Sequence, residues 1–451
     1  MTMKFVSWAY LPNKKEGKTM SVNQSLKPIT TERKGNLHIG GCDLVELAKK
    51  YGTPLYVIDE VSLREICREY IDAFKNYPNI KMMYASKALC SLATTKIISQ
   101  EGFGFDTVSI GEIYTVYKSG VDMSKVLFNG NNKTAREIEL ALDLKVGRFS
   151  VDNFYEAELL NKIALEKGVN VDILLRITPG IECHTHEYIQ TGQIDSKFGF
   201  DLSQLDEIIN LIKDEYKSLN LKGLHAHIGS QIFELQSFTD EVQVLSKTLY
   251  ELNEKYGLEM SELNIGGGLG VKYTDKDNPP SVYDLAEAVT KSLDEKTQEL
   301  TIYLEPGRSV VSTAGVTLYT VGSTKQVPNG RKYVAVDGGM ADNPRPSMYQ
   351  AEYSAEIAGV NNNELETVTI AGRYCESGDI LIENIELPKL KAGDILCVYN
   401  TGAYNYSMAS NYNRVEKSAM VLVNSAQSDM IVSRESLEDL IARENIPNRL
   451  R

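Results

Sequence analysis

Nine short apolar runs, most of them followed by a helix-like stretch, decide what the larger part of this chain can fold into. They are Leu55–Ile58, Met82–Ala85, Phe103–Thr107, Val126–Phe128, Phe149–Val151, Ile173–Ile177, Gly223–Ile228, Leu263–Ile265 and Ile302–Leu304. Segments of helical period, such as Glu60–Tyr77, Asn153–Lys167, Leu202–Lys217, Phe238–Tyr256 and Tyr283–Lys296, lie between them. Apolar runs alternating with amphipathic helices read as parallel strands covered on both faces. Eight such strand–helix units predict an α/β fold, a (β/α)8 barrel of the TIM type. A doubly wound open sheet is the rival. The barrel is preferred because polar or glycine-rich residues follow nearly every run, and active sites of such barrels lie at those strand ends.

After Arg308 the texture changes. Thr317–Val321, Tyr333–Val336, Glu366–Ala371, Asp379–Leu381 and Asp394–Tyr399 are short strand-like runs broken by Gly, Pro and Asn. They predict a mostly β C-terminal domain, a sandwich or small barrel. The expected division is an N-terminal extension over 1–34, a β domain from 35–54 with 313–451, and the barrel over 55–312. A chain of 451 residues is long enough for both domains. The stretch from Met1 to Thr31 has no long apolar core, so it reads as neither signal peptide nor membrane span but as a loose extension, with Met20 as a second possible start.

A net charge of −13 argues against nucleic acid or an anionic membrane as partner. An anionic small molecule stays possible, because a local arginine cluster can focus one. The six cysteines, Cys42, Cys67, Cys90, Cys183, Cys375 and Cys397, form no CxxC pair and fit reduced thiols in the cytoplasm.

Several residues at the strand ends suit chemistry. Lys87 follows the run Met82–Ala85 in a small-residue turn. Partial burial there would disfavour an ammonium and leave a nucleophilic amine, although most lysines are merely solvated. Gly266-Gly267-Gly268-Leu269-Gly270 follows the run Leu263–Ile265, near the end of the barrel, where loops of this fold bind phosphate. It fits neither the Rossmann nor the Walker pattern, and a ligand-free turn is the plain alternative. Glu305-Pro306-Gly307-Arg308 follows the last run, Ile302–Leu304. The carboxylate could hold a proton on a ring nitrogen and the guanidinium could pair with an anion; a surface ion pair is the plain reading. His225-Ala226-His227 and His184-Thr185-His186 each put two imidazoles on one strand face, which would suit a metal, yet no third ligand stands at a matching spacing. No metal is therefore expected. His227, followed by Ser230, better suits a face laid on a planar cofactor. Cys375 lies beside Glu376 and Asp379, a setting that favours a neutral thiol able to give a proton; an ordinary buried cysteine is the alternative.

Together these motifs resemble the fold-type III pyridoxal-phosphate decarboxylases, most closely those acting on diaminopimelate. The resemblance runs from about Gly35 to Val432 and includes Tyr84-Ala-Ser-Lys87, Phe105-Asp-Thr-Val-Ser-Ile-Gly-Glu112, Asn129-Gly-Asn-Asn-Lys133, Asp195-Ser-Lys-Phe-Gly199, His227-Ile-Gly-Ser230, Gly266-Gly-Gly268, Glu305-Pro-Gly-Arg308, Cys375-Glu-Ser377 and Gly402-Ala-Tyr404. Ser377-Gly378 departs from the two serines of many relatives.

By this resemblance the cofactor is pyridoxal 5'-phosphate and Lys87 is its Schiff-base lysine. His227 stacks on the ring, and Glu305 protonates the ring nitrogen. Ser230, Gly267, Gly268, Pro306, Gly307, Arg308 and Tyr404 surround the cofactor. Cys375 protonates the α-carbon from a second subunit, so the active unit is a homodimer. Arg308, Arg345, Tyr349, Glu376 and Tyr404 hold the substrate. The implied reaction is decarboxylation of meso-diaminopimelate to L-lysine in lysine biosynthesis. An ornithine, arginine or carboxynorspermidine decarboxylase, or a non-catalytic relative, is the alternative; a diamine-forming enzyme would favour acids at the distal end in place of Arg308 and Arg345.

Overall fold

The computed structural model describes residues 21–28, 30–181, 196–360 and 364–451. Eight parallel strands close into a barrel: Ile80–Ala85, Gly104–Thr107, Val126–Phe128, Arg148–Val151, Val171–Thr178, Leu219–His225, Glu262–Asn264 and Thr301–Leu304. Closure comes where the eighth strand pairs with the first, Ile302 beside Ile80 and Leu304 beside Met82.

Alternation along these strands divides two environments. Phe149 and Val151, Ile173, Leu175 and Ile177, Leu224, Leu263, and Ile302 and Leu304 point outward into one core shared with the helices. Met83, Leu127 and Leu174 meet inside, with Tyr303 against them. The interior above that apolar plug is polar, as the site below shows. Ser91, Ser109, Thr134, Asn153 and Ser281 each cap the helix they precede, their side-chain oxygens accepting backbone N–H groups. Some of the polar residues that trail the apolar runs are therefore helix caps and have no part in chemistry. No described helix is long and apolar enough to cross a membrane.

The second body is a nine-stranded sheet built around Gly315–Gln326. The apolar run at Leu55, grouped with the barrel by its sequence, belongs here. Leu55–Asp59 pairs antiparallel with Gly315–Gln326 and parallel with Ala419–Asn424. All five of its residues are buried, as they would be in a barrel strand, so apolarity alone cannot name its partners. The helix that follows, Glu60–Ala73, does join the barrel layer, packing on Leu92–Gln100 and Val282–Lys291. Ahead of it, Leu44–Tyr51 packs Leu44, Leu47 and Ala48 against Val57, Leu318 and Val421 of the β body.

The described part of the N-terminal extension is fastened, against the expectation of a loose segment. Buried Asn23 donates to the carbonyls of Gly270 at 3.0 Å and Pro280 at 2.8 Å. Asn400 donates to the Leu26 carbonyl at 2.8 Å. Side-chain amides bonding to distant backbone leave no periodic trace in a sequence, which is why the segment reads as loose.

Candidate active site

The first barrel strand ends at Ala85 and turns through Ser86–Ala88, which carries Lys87. A loop of the β body clamps this turn: the Tyr404 N–H donates to the Ala88 carbonyl at 2.9 Å, and the Ser407 hydroxyl does so at 3.1 Å. Tyr404 holds a left-handed backbone, φ 63°, a cost that a non-glycine residue bears where the fold fixes it at a site. Lys87 opens onto a cavity of about 770 Å³ between barrel mouth and β body.

At the floor, strands seven and eight end side by side. Asn264 donates through Nδ2 to Glu305 Oε1 at 2.6 Å and accepts the Gly266 N–H at 2.9 Å. Glu305 Oε2 lies 3.4 Å from His225 Nε2, and His225 Nδ1 lies 2.7 Å from Ser150 Oγ. Burial alone would raise the Glu305 carboxyl; His225 and the Asn264 amide outweigh it and hold the group down at about 2. Burial pushes His225 below its ordinary value. His225 then sets its Nε2 edge beside the carboxylate without closing a hydrogen bond, while its Nδ1 shares one with the Ser150 hydroxyl. The result is a permanent anion at the bottom of the cavity.

Burial, and then the Lys87 charge, keep His227 well below 6.5, so its ring is neutral. The Gly267 N–H donates to its Nδ1 at 3.3 Å, which leaves the ring proton on Nε2. A side cavity of about 50 Å³ is lined by Lys87, His227, Ser230, Gly268, Gly307 and Arg308 among others. Gly268 has φ 130°, and a Cβ there would stand 2.6 Å from the Gly229 oxygen, so the loop must be glycine to run this close. Arg308 donates to Ser230 Oγ at 3.1 and 3.2 Å.

Arg308 and Arg345 are each 7% exposed. Among the described residues their hydrogen bonds go to the hydroxyls of Ser230, Tyr273 and Tyr353, and none goes to a carboxylate. Two buried guanidiniums without an acid make a site for anions. An amine, a neutral imidazole, a deep carboxylate and a glycine loop beside an arginine fit the aldehyde, ring, ring nitrogen and phosphate of pyridoxal phosphate. Because the barrel strands are parallel, the segments that follow their carboxyl ends bring all of these groups to one end of the barrel.

The family described as pyridoxal-dependent decarboxylase, pyridoxal binding domain, matches residues 63–312. The diaminopimelate decarboxylase of Synechocystis is 47% identical over 448 residues, covering 95% of each chain. This chain belongs to the diaminopimelate decarboxylase family. The Bacillus subtilis member is 45% identical over 416 residues, which is 90% of this chain and 94% of that one. The crystal structure of the M. jannaschii diaminopimelate decarboxylase in co-complex with L-lysine superposes with a TM-score of 0.89 at 36% identity, covering 96% of this chain and 100% of the other. The protein is thus a pyridoxal-phosphate-dependent carboxy-lyase on a closed parallel barrel with a mostly β second domain.

Within this decarboxylase, Lys87, His227, Ser230, Glu305, Arg308, Arg345, Tyr349 and Tyr404 line the main cavity. Gly268 and Gly307 line the smaller one. Gly267 and Pro306 line neither of these; they back onto Tyr70, Phe238, Leu285 and Leu304 behind the loop. Cys375 and Glu376 are exposed and stand outside the cavity lining. His184, His186 and Asp195 fall outside the described residues.

Sequence reasoning passed over Arg176 and Tyr273, and it gave Asp106 and Asn129, which stand in motifs quoted above, no role. Arg176 lines the cavity, donates to Asn129 Oδ1 at 3.2 Å, sits 3.7 Å from Asp152 and lies 4.3 Å from the Phe198 ring centre. Asp106 is buried, and burial followed by the Glu305 charge pushes its carboxyl well above 3.8. A polar residue between two outward apolar ones in a barrel strand is the signal that would have found Arg176 and Ser150; Asp106, between Phe105 and Thr107, shows it only on one side.

Proposed function

We propose that this decarboxylase converts meso-diaminopimelate to L-lysine and CO₂, the last step of lysine biosynthesis, as a cytoplasmic homodimer whose subunits share each site. The acid-free pair of Arg308 and Arg345 carries the substrate reading. A distal carboxylate would satisfy both guanidiniums by charge-assisted hydrogen bonds. An amino acid with a plain cationic tail would press an ammonium against them.

When bound, pyridoxal phosphate supplies a conjugated electron sink for the bond that loses CO₂. Lys87 contributes the amine that anchors it. Glu305, ionised and braced by Asn264 and His225, would keep a proton on the cofactor's ring nitrogen. His227 would offer its neutral ring to the cofactor as a stacking surface. Ser230, Arg308 and the Gly268 and Gly307 backbones would take the phosphate, with Tyr404 closing the side; Gly267 and Pro306 support that loop from behind. Arg345 and Tyr349, with Arg308, orient the substrate by its far carboxylate, and Glu376, in the same loop as Cys375, takes the far ammonium from the partner subunit.

Cys375 delivers a proton to the α-carbon from the partner subunit. Its exposure outside the cavity supports this: a single chain leaves the site without the thiol. The test of the substrate reading is a comparison of kcat/KM for meso-diaminopimelate, L-lysine, L-ornithine and L-arginine. Preference for a diamine-forming substrate would replace it with a polyamine-pathway role.

A further inference from the structure

Tyr273 lies beyond the glycine loop, where the chain leaves the barrel and enters the core of the β body. Its ring is 5% exposed among Tyr319, Val321 and Tyr353. The backbone is pinned on both sides: Asp277 accepts its N–H at 3.0 Å, and Ser354 donates to its carbonyl at 2.9 Å. Arg308, from the end of the eighth barrel strand, donates through Nη1 to the Tyr273 hydroxyl oxygen at 2.8 Å. Arg345, from the β body, holds its guanidinium 4.8 Å from the centre of the same ring. Tyr353 packs edge-on to Tyr273 at 5.2 Å and accepts from Arg345 Nη1 at 2.6 Å.

Two guanidiniums brought together repel, and each needs a fixed partner to hold its orientation. A carboxylate would give that and cancel the charge. A phenol gives it otherwise: its oxygen accepts from one guanidinium and its ring face attracts the other, while both charges remain available. We propose that Tyr273 is a positioning residue for substrate specificity, bracketing Arg308 and Arg345 from the two domains so that both meet the substrate's distal carboxylate. The inference rests on the distal-carboxylate reading given above.

The test is Tyr273→Phe, which removes the hydroxyl and keeps the ring. One lost hydrogen bond to a charged group predicts a rise in KM for meso-diaminopimelate of roughly 10-fold or more. The kcat should stay within about 3-fold, since the reacting atoms are untouched. The inhibition constant of 1,5-diaminopentane, a diamine of matching length with no carboxylate, should stay within about 2-fold, because a specificity effect needs the distal carboxylate. Tyr353→Phe, which takes the acceptor from Arg345, should split the two ligands in the same way, and it carries the test if Tyr273→Phe fails to fold. Equal losses for both ligands would mean that Tyr273 only supports the fold, and no change in either would mean that it positions nothing; each overturns the proposal. The wild-type enzyme reports separately on the underlying reading. If it shows no preference for meso-diaminopimelate over L-lysine, that reading fails whatever the variants do.

Discussion

Asn264 and Glu305 meet at 2.6 Å where the seventh and eighth barrel strands end, the amide of one fixing one oxygen of the other. The carboxyl is held at about 2, so it is an anion across the whole working range of pH. Glu305→Gln should therefore cut kcat far more than it weakens cofactor retention, measured by the absorbance of bound cofactor against added pyridoxal phosphate. A near-normal kcat would show that the ring nitrogen needs no anion here.

The same shift has a consequence for stability. An acid whose folded value lies below its ordinary 4.5 binds fewer protons folded than unfolded, and stabilises the fold above that ordinary value. That contribution should fade as pH falls from about 4.5 toward about 2. Denaturant melts of apoenzyme should show the gap between wild type and Glu305→Gln constant above pH ~5 and shrinking below it. A gap that grows on acidification would contradict an ionised Glu305.

Most of the barrel was legible because continuous apolar runs and segments of helical period carry their own burial. Lys87, Glu305 and Arg308 were legible because they punctuate strand ends. Leu55–Asp59 was not, since its partners arrive from residues 315–326 and 419–424. The polar interior made of Asp106, Ser150, Arg176 and Asn264 was hidden for another reason. Each is one polar residue in an apolar run, and only the closed barrel brings them together. Asn23 and Tyr273 act through contacts between domains, which no local pattern encodes.

Borohydride treatment of the yellow holoenzyme should bleach it and leave the reduced cofactor on the Lys87 peptide, found by peptide mass mapping. Lys87→Ala should abolish turnover. The reduced cofactor on any other lysine would remove Lys87 from its role.

Cys375 should be needed in trans. Lys87→Ala and Cys375→Ala are each expected to be inactive, or, for the cysteine, to protonate wrongly while still binding cofactor. Mixing the two under conditions of proven subunit exchange should restore part of the activity, because a hybrid dimer keeps one intact site. Exchange without recovery would mean that each site is built from one chain.

Arg345→Lys should act on selectivity. An ammonium cannot reproduce the planar fork that grips a carboxylate. Loss of one charged contact of roughly 1.5–3 kcal/mol predicts a fall in kcat/KM for meso-diaminopimelate on the order of 10–10². Against wild type, L-lysine and L-ornithine forgo contacts to both arginines, about 3–6 kcal/mol, and should be worse substrates by about 10²–10⁴. An Arg345→Lys enzyme with unchanged selectivity would place the distal carboxylate elsewhere.

The most direct measurement is the product itself. Purified protein with pyridoxal phosphate and meso-diaminopimelate should release CO₂ and L-lysine in equal amounts, and release should stop in Lys87→Ala. No CO₂ from meso-diaminopimelate, alongside brisk release from L-ornithine, L-arginine or L-lysine with a diamine as product, would contradict the account.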